Sequence, residues 1–156
     1  MIPKRIHYTW FSRDPFPSIV QRCINSWHRY MPNYEFVLWD VERIEDIDSV
    51  WLKQCIAKQK WAFAADYVRL YAVYTEGGIY LDTDCMAYQS FDALLHNVSF
   101  IGKESSVHVE GRRTEMYMTS HCFGAEKGDW FVGRVLSYYR NRPFVMSEDE
   151  SLPMRL

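Results

Sequence analysis

The sequence predicts an α/β fold, a mixed and mostly parallel sheet flanked by helices on both faces, and three observations carry that expectation. Short β-branched and aromatic runs alternate along the chain with segments of helical periodicity, the order that builds helix-covered parallel sheets. The run Tyr34 to Trp39 is close to continuously apolar, which suits a strand covered on two sides. Two aspartates, Asp82 and Asp84, close a strand in the middle of the chain, where ligands of α/β sheets bind beyond the carboxyl ends of the strands.

Arg5 to Phe11 reads as the first strand, ended by the loop Ser12-Arg13-Asp14-Pro15. Ile19, Val20, Cys23, Ile24, Trp27 and Tyr30 then recur at helical spacing until Pro32-Asn33 stops them. Asp40 closes the second strand, and the polar residues 41 to 49 form a loop before a helix over Val50 to Ala57. Trp61 to Tyr74 is apolar nearly all round, the mark of a buried helix, and Gly77-Gly78 supplies the left-handed stop. A strand over Ile79 to Thr83 and a short helix over Phe91 to His96 follow. Further strands are expected at Ser99 to Lys103 and Met116 to Ala125, on either side of the polar stretch Ser105 to Glu115. Trp130 to Tyr139 is the last helix, stopped by Asn141-Arg142-Pro143.

No repeat, low-complexity segment or linker interrupts these elements, so residues 1–156 are expected to form one domain. With 48% hydrophobic residues the chain has the material for a packed core rather than a disordered one. A formal charge of -2 and the lack of any lysine and arginine run argue against nucleic acid as a partner. Met1 to Ile6 lacks the apolar centre of a signal peptide, and no apolar run approaches the about 20 residues that span a bilayer. The expected location is the cytoplasm. Cys23, Cys55, Cys85 and Cys122 are scattered without the short spacings of zinc or redox motifs, and read as reduced, packed thiols.

The chemistry gathers at Gly78-Ile79-Tyr80-Leu81-Asp82-Thr83-Asp84. At the end of this apolar strand the two-residue period turns both carboxylates to one side, where they could hold a hard cation. Mg²⁺ or Mn²⁺ takes one or two protein carboxylates and completes its shell with phosphate oxygens and water, so a diphosphate is the natural co-ligand. The competing reading is that the aspartates only end the strand through turns of their own. Asp66 and Arg69, three apart on the preceding helix, share a face. They either form a buried ion pair or point together at sugar hydroxyls and phosphates. Trp10 stands beside Tyr8 and Phe11, and either stacks on a base or packs in the core. His7 and His121 lack metal-ligand spacing, and structural roles are expected for both.

Three blocks in this order resemble the sugar-binding region of glycosyltransferase family 32, the DxD-containing group of capsular-polysaccharide and mannosyl transferases. They are Ile2-Pro3-Lys4-Arg5-Ile6-His7-Tyr8-Thr9-Trp10-Phe11, Ala64-Ala65-Asp66-Tyr67-Val68-Arg69-Leu70-Tyr71 and Gly77-Gly78-Ile79-Tyr80-Leu81-Asp82-Thr83-Asp84, with a weaker continuation through Phe123-Gly124-Ala125-Glu126-Lys127-Gly128. The resemblance implies a GT-A type fold and a metal-dependent, retaining transfer of a hexose from a UDP- or GDP-sugar to a saccharide acceptor, in capsule or cell-surface polysaccharide synthesis. It implies that Trp10 stacks on the base and that Asp66 and Arg69 contact the donor. Asp82 would touch ribose or sugar, and Asp84 would bind Mn²⁺ or Mg²⁺ with Asp82 beside it. Tyr8, Gly78 and Tyr80 join the donor-binding set, and Asp82, Asp84 and Arg69 the catalytic set.

Members of this family run longer, so a C-terminal truncation, a partner chain in its place, or association with the inner face of a membrane are expectations as well. Glu148, Asp149 and Glu150 either replace a late metal contact or form an exposed acidic tail. Two other functions compete. One is an inactive nucleotide-sugar-binding module; the other is a haloacid-dehalogenase-like phosphatase, which also sets Asp-x-Asp after an apolar strand but near the start of its domain.

Overall fold

A strand buried on both faces needs cover on each, and β1 (Arg5–Thr9) shows how this chain supplies it. In this computed structural model, which describes residues 1–104, 107–109, 113–115 and 117–146, neighbouring Ile6 and His7 point to opposite faces and neither has exposed surface. Register carries the division across the sheet. Phe36 of β2 (Glu35–Trp39), Ile6, and Ile79 of β3 (Gly78–Leu81) form one row, and Val37, His7 and Tyr80 the next. The first row packs with Val20, Cys23, Ile24 and Trp27 of α1 (Ser18–Tyr30). On the other face Val37 joins Leu52 and Cys55 of α2 (Val50–Ala57) and Val68 and Ala72 of α3 (Trp61–Glu76).

The next strands in the chain are β4 (Ser99–Lys103), β5 (Val107–Val109), β6 (Arg113–Glu115) and β7 (Met118–Ala125), before the last helix α4 (Trp130–Ser137). The main sheet has the order β2-β1-β3-β7-β4, while β5 and β6 pair with each other as a separate antiparallel hairpin. Pairing is parallel from β2 to β1 and from β1 to β3, then antiparallel from β3 to β7 and from β7 to β4. The expected mixed sheet is therefore present. The description "mostly parallel" holds for strand direction, since β7 alone runs against the others, but the pairings divide evenly. Tyr80, Phe123 of β7 and Val132 of α4 share a third apolar cluster, which places α4 on the same face as α3.

Two strands end earlier than their sequence pattern suggests. β1 stops at Thr9 rather than Phe11, although the Trp10 amide still donates to the Trp39 carbonyl at 3.1 Å. β3 stops at Leu81 rather than Thr83, because the Cys85 amide closes a turn onto the Asp82 carbonyl at 2.9 Å. In the other direction, α3 runs two residues past Tyr74, to Glu76. The short helix expected over Phe91 to His96 is a single 3₁₀ turn at Asp92–Leu94.

The junction between α3 and β3 needs glycine twice. Gly77 has φ +70° and Gly78 φ +120°, and a Cβ on Gly78 would lie 2.7 Å from the Arg5 carbonyl oxygen. His7 fastens this junction. The Trp39 indole donates to its Nδ1 at 3.0 Å, so the proton sits on Nε2, which donates to the Gly77 carbonyl at 2.9 Å. All four cysteines are free, and no helix among the described residues is long and apolar enough to cross a membrane. Ser105, Ser106 and the acidic run Glu148 to Glu150 lie outside the described residues.

Candidate functional site

Beyond the carboxyl ends of β1 and β3 the chain leaves a cleft of about 320 Å³. Trp10, Ser12 and Trp61 line one side, and Arg69, Asp82 and Asp84 the other. β1 delivers Trp10, whose indole nitrogen donates to the Asp14 carbonyl at 2.9 Å and whose ring packs edge-on against Phe16. This loop holds the indole in place while leaving it partly exposed along the cleft.

Arg69 is the electrostatic centre of the arrangement. It is a buried cation, and burying an unpaired guanidinium would cost several kcal/mol, so its partners are the informative feature. Its Nε donates to the Ala65 carbonyl at 3.2 Å and its Nη1 to Ser120 Oγ of β7 at 2.7 Å. Its Nη2 lies 3.2 Å from Asp66 Oδ1 and 3.4 Å from Asp82 Oδ1, and its plane rests 5.0 Å over the Tyr80 ring. The two sequence readings of Asp66 and Arg69 are divided between them: they form an ion pair, and Arg69 alone of the two lines the cleft. Burial raises the pKa of the Asp66 carboxyl, against the pull of Arg69.

Asp82 receives a second bond from below. The buried Tyr80 hydroxyl donates to Asp82 Oδ1 at 2.8 Å and accepts from Thr9 Oγ1 at 3.1 Å. Tyr80 is therefore a support beneath the cleft, not a wall of it. Among the described residues both carboxylate contacts of Asp82 fall on Oδ1, which leaves Oδ2 uncommitted there, and the exposed Asp84 carboxylate has no hydrogen bond or ion pair. A pair of free carboxylate oxygens is the donor set a hard cation needs when phosphate and water fill its other positions. No group of three or more acidic, histidine or cysteine side chains among the described residues could hold a metal alone. The pleat does not align the two aspartates, as the sequence pattern suggested; the turn after Leu81 brings both to the same rim.

The loop beyond Asp84 is tied down from the far face. The Trp27 indole of α1 donates to the Cys85 carbonyl at 2.7 Å, and Ser26 Oγ accepts from the Ala87 amide at 2.9 Å. On that side the aspartates border a second cleft of about 530 Å³, lined with Leu81, Met86, Ala87, Phe91, His121 and Cys122. Burial pushes the Cys85 and Cys122 thiols up to about 12 and about 11, so both stay protonated at neutral pH.

Of the expected donor set, Tyr80 and Asp66 lie behind the cleft and touch it only through Asp82 and Arg69, and Tyr8 and Gly78 are not brought to it at all. Tyr8 lies on the α1 face, edge-on to Trp27 at 5.5 Å, because it alternates with His7 along β1. Gly78 is buried at the opposite end of β3 from Asp82, paired with Ala125. Conversely, Trp61, Ser120 and His121 reach the site without having been singled out for it. Trp61 opens α3 beside the cleft, whereas Ser120 and His121 arrive on β7, some distance along the chain and with no local motif to mark them.

A family model described as a glycosyltransferase sugar-binding region containing a DXD motif matches residues 17–101, more than half of the chain. The chain belongs to this family. Its DXD is Asp82-Thr83-Asp84, the only Asp-x-Asp inside the matched residues that ends a strand of the main sheet. Inositol phosphoceramide mannosyltransferase 3 of Schizosaccharomyces pombe is 33% identical over 149 residues, 91% of this chain and 37% of its own length. Inositol phosphoceramide mannosyltransferase 2 of the same yeast is 30% identical over 116 residues, 70% of this chain and 32% of its own length. The chain thus spans about a third of the curated relatives it matches. The solved PaToxG glycosyltransferase superposes with TM-score 0.67 over 90% of this chain and 63% of its own, at 19% identity, a likeness of fold. The DXD family and this GT-A-like sheet leave the phosphatase reading without support.

Proposed function

We propose that the chain is the donor-binding part of a divalent-cation-dependent, retaining glycosyltransferase that moves a hexose from a nucleoside diphosphate sugar to a saccharide acceptor. One observation carries the reading: a buried, fully partnered Arg69 faces the same cleft as the indole of Trp10 and the two DXD carboxylates. An aromatic surface for a base, a fixed cation for phosphate and oxygen ligands for a metal are the three things a nucleoside diphosphate requires. Mannose is favoured as the sugar, since both yeast relatives are mannosyltransferases. Synthesis of a cell-surface polysaccharide, at the cytoplasmic side of a membrane, is the setting we favour.

In this scheme the bond from the anomeric carbon to the diphosphate breaks and the acceptor hydroxyl oxygen takes its place. The hydroxyl proton passes to the departing diphosphate. Asp82 and Asp84 are the carboxylates that line the two clefts among the described residues. Because those two serve the metal, none remains as a covalent nucleophile, which supports attack from the leaving-group face. Mn²⁺ or Mg²⁺, held by Asp84 and Asp82 Oδ2, would neutralise charge that grows on the leaving diphosphate. Arg69 opposes the same charge from a position fixed before reaction, the kind of preorganised donor worth about 3 to 4 kcal/mol.

A thermal-shift series with UDP, GDP and CMP, with and without Mn²⁺, tests the assignment. UDP or GDP is expected to raise Tm only when Mn²⁺ is present, because a ligand selective for the native state stabilises it. Asp84→Ala is expected to erase the metal-dependent part. A nucleotide shift of equal size in that variant would remove Asp84 from the metal site. A metal-dependent shift with no release of sugar from the donor would instead favour a binding module.

A further inference from the structure

The DXD turn is a partition, with Asp82 and Asp84 lining a cleft on each side of it. The two clefts differ in chemistry. The first has Arg69 and the indoles; the second has no lysine or arginine among its lining residues, and its walls are Leu81, Met86, Ala87, Phe91 and the side chains of Cys85 and Cys122. Its charged lining is Asp82 and Asp84, with His121 as the other polar side chain and no fixed cation like Arg69 to match a diphosphate, so the second cleft suits an uncharged, partly apolar molecule. Its volume of about 530 Å³ falls in the range of small-molecule sites, about 300 to 1,000 Å³.

We infer that this second cleft receives the acceptor, that the acceptor is a glycoside with an apolar aglycone, and that His121 hydrogen-bonds its sugar. The inference rests on the donor assignment above. His121 is well placed because its backbone carbonyl accepts from the Asp82 amide at 2.9 Å, which pins the residue to the DXD turn. Its Nδ1 is engaged by Thr119 Oγ1 on the same strand, which orients the ring and leaves Nε2 for a ligand. The ring is exposed and lines the cleft at its polar rim, next to the aspartates, while Met86, Ala87 and Phe91 form the apolar part. A sugar hydroxyl at the rim therefore sits beside the donor's anomeric carbon, and an alkyl or lipid aglycone runs away from it along the loop that follows the DXD.

The test uses n-octyl α-D-mannopyranoside below its micelle concentration, with methyl α-D-mannopyranoside as the control, followed by NMR of the methionine methyl and histidine ring signals. The octyl glycoside is expected to shift Met86 and His121 and to bind at least tenfold more tightly than the methyl glycoside. Met86→Trp, which fills the cleft, is expected to weaken it at least tenfold and to leave the Mn²⁺-dependent nucleotide shift unchanged. His121→Ala should weaken it about fivefold, the size of one lost hydrogen bond, and His121→Gln should restore most of that. Octyl glycoside binding that is indifferent to Met86→Trp, or equal for both glycosides, would overturn the inference. Loss of the nucleotide response in the unaltered chain would instead overturn the donor assignment, and it is read in a separate measurement.

Discussion

Arg69 is held by groups from α3, β7 and the DXD turn before any ligand arrives, so its orientation costs nothing at the moment of binding. Arg69→Met removes the cation between Asp66 and Asp82 and leaves Asp82 with only its Tyr80 hydrogen bond among the described residues. We expect a loss of about 1 to 2 kcal/mol in urea unfolding, less than for a fully buried pair because both carboxylates are partly exposed, together with loss of the nucleotide response. Unchanged stability would mean that the two carboxylates find other partners. His7 makes a different prediction, through pH. Burial lowers its pKa below the ordinary value of 6.5, so the folded chain binds fewer protons there than the unfolded chain does. Its stabilising contribution is complete above that value and is lost as pH falls beneath it. His7→Gln, whose amide can accept from Trp39 and donate to Gly77, should flatten the acid side of a stability profile below about pH 6.5. At this scale the residues of local motifs, Trp10, Asp66, Arg69, Asp82 and Asp84, were legible because their spacing carries them to one place. Ser120 and His121 were not, because a strand partner's contribution depends on register, which no local pattern encodes.

The turn after Leu81 shows why element boundaries matter more than element identity. Read as strand through Thr83, the aspartates owe their common direction to the pleat; in the structure they owe it to the Cys85 to Asp82 hydrogen bond. Apolar alternation locates a strand but says nothing about where its last ladder bond falls, and the same limit explains the two extra residues of β1. Helices were easier, since α2 and the Gly77 stop of α3 follow from periodicity and from the need for positive φ. Gly78→Ala tests that need. Its φ of +120° and the 2.7 Å approach to the Arg5 oxygen leave no room for a methyl group, and a loss of about 2 kcal/mol or more is expected. Thermal unfolding with an unchanged midpoint would show that the junction can relax.

For the molecule as a whole, alternation of helix and strand announced a covered sheet, but not that β3 pairs in parallel on one side and antiparallel on the other. That change of direction follows from the long return through β4 and its hairpin, whose polar sequence gives no pairing partner. It puts β7 beside the DXD turn, and with it the residues that border the second cleft. α1 lies on the opposite side of the sheet from Arg69, yet Trp27 grips the Cys85 carbonyl just past the aspartates. Trp27→Phe keeps the ring's apolar contacts and removes that grip. It should weaken Mn²⁺-dependent nucleotide binding about fivefold, as one lost hydrogen bond would, and equal affinity would show the loop to be self-supporting. The tether works in both directions. Whatever stills the loop must also still the final turn of α1, so slowed amide deuterium exchange at Trp27 to Tyr30 becomes a reporter for occupancy of a cleft that helix never touches.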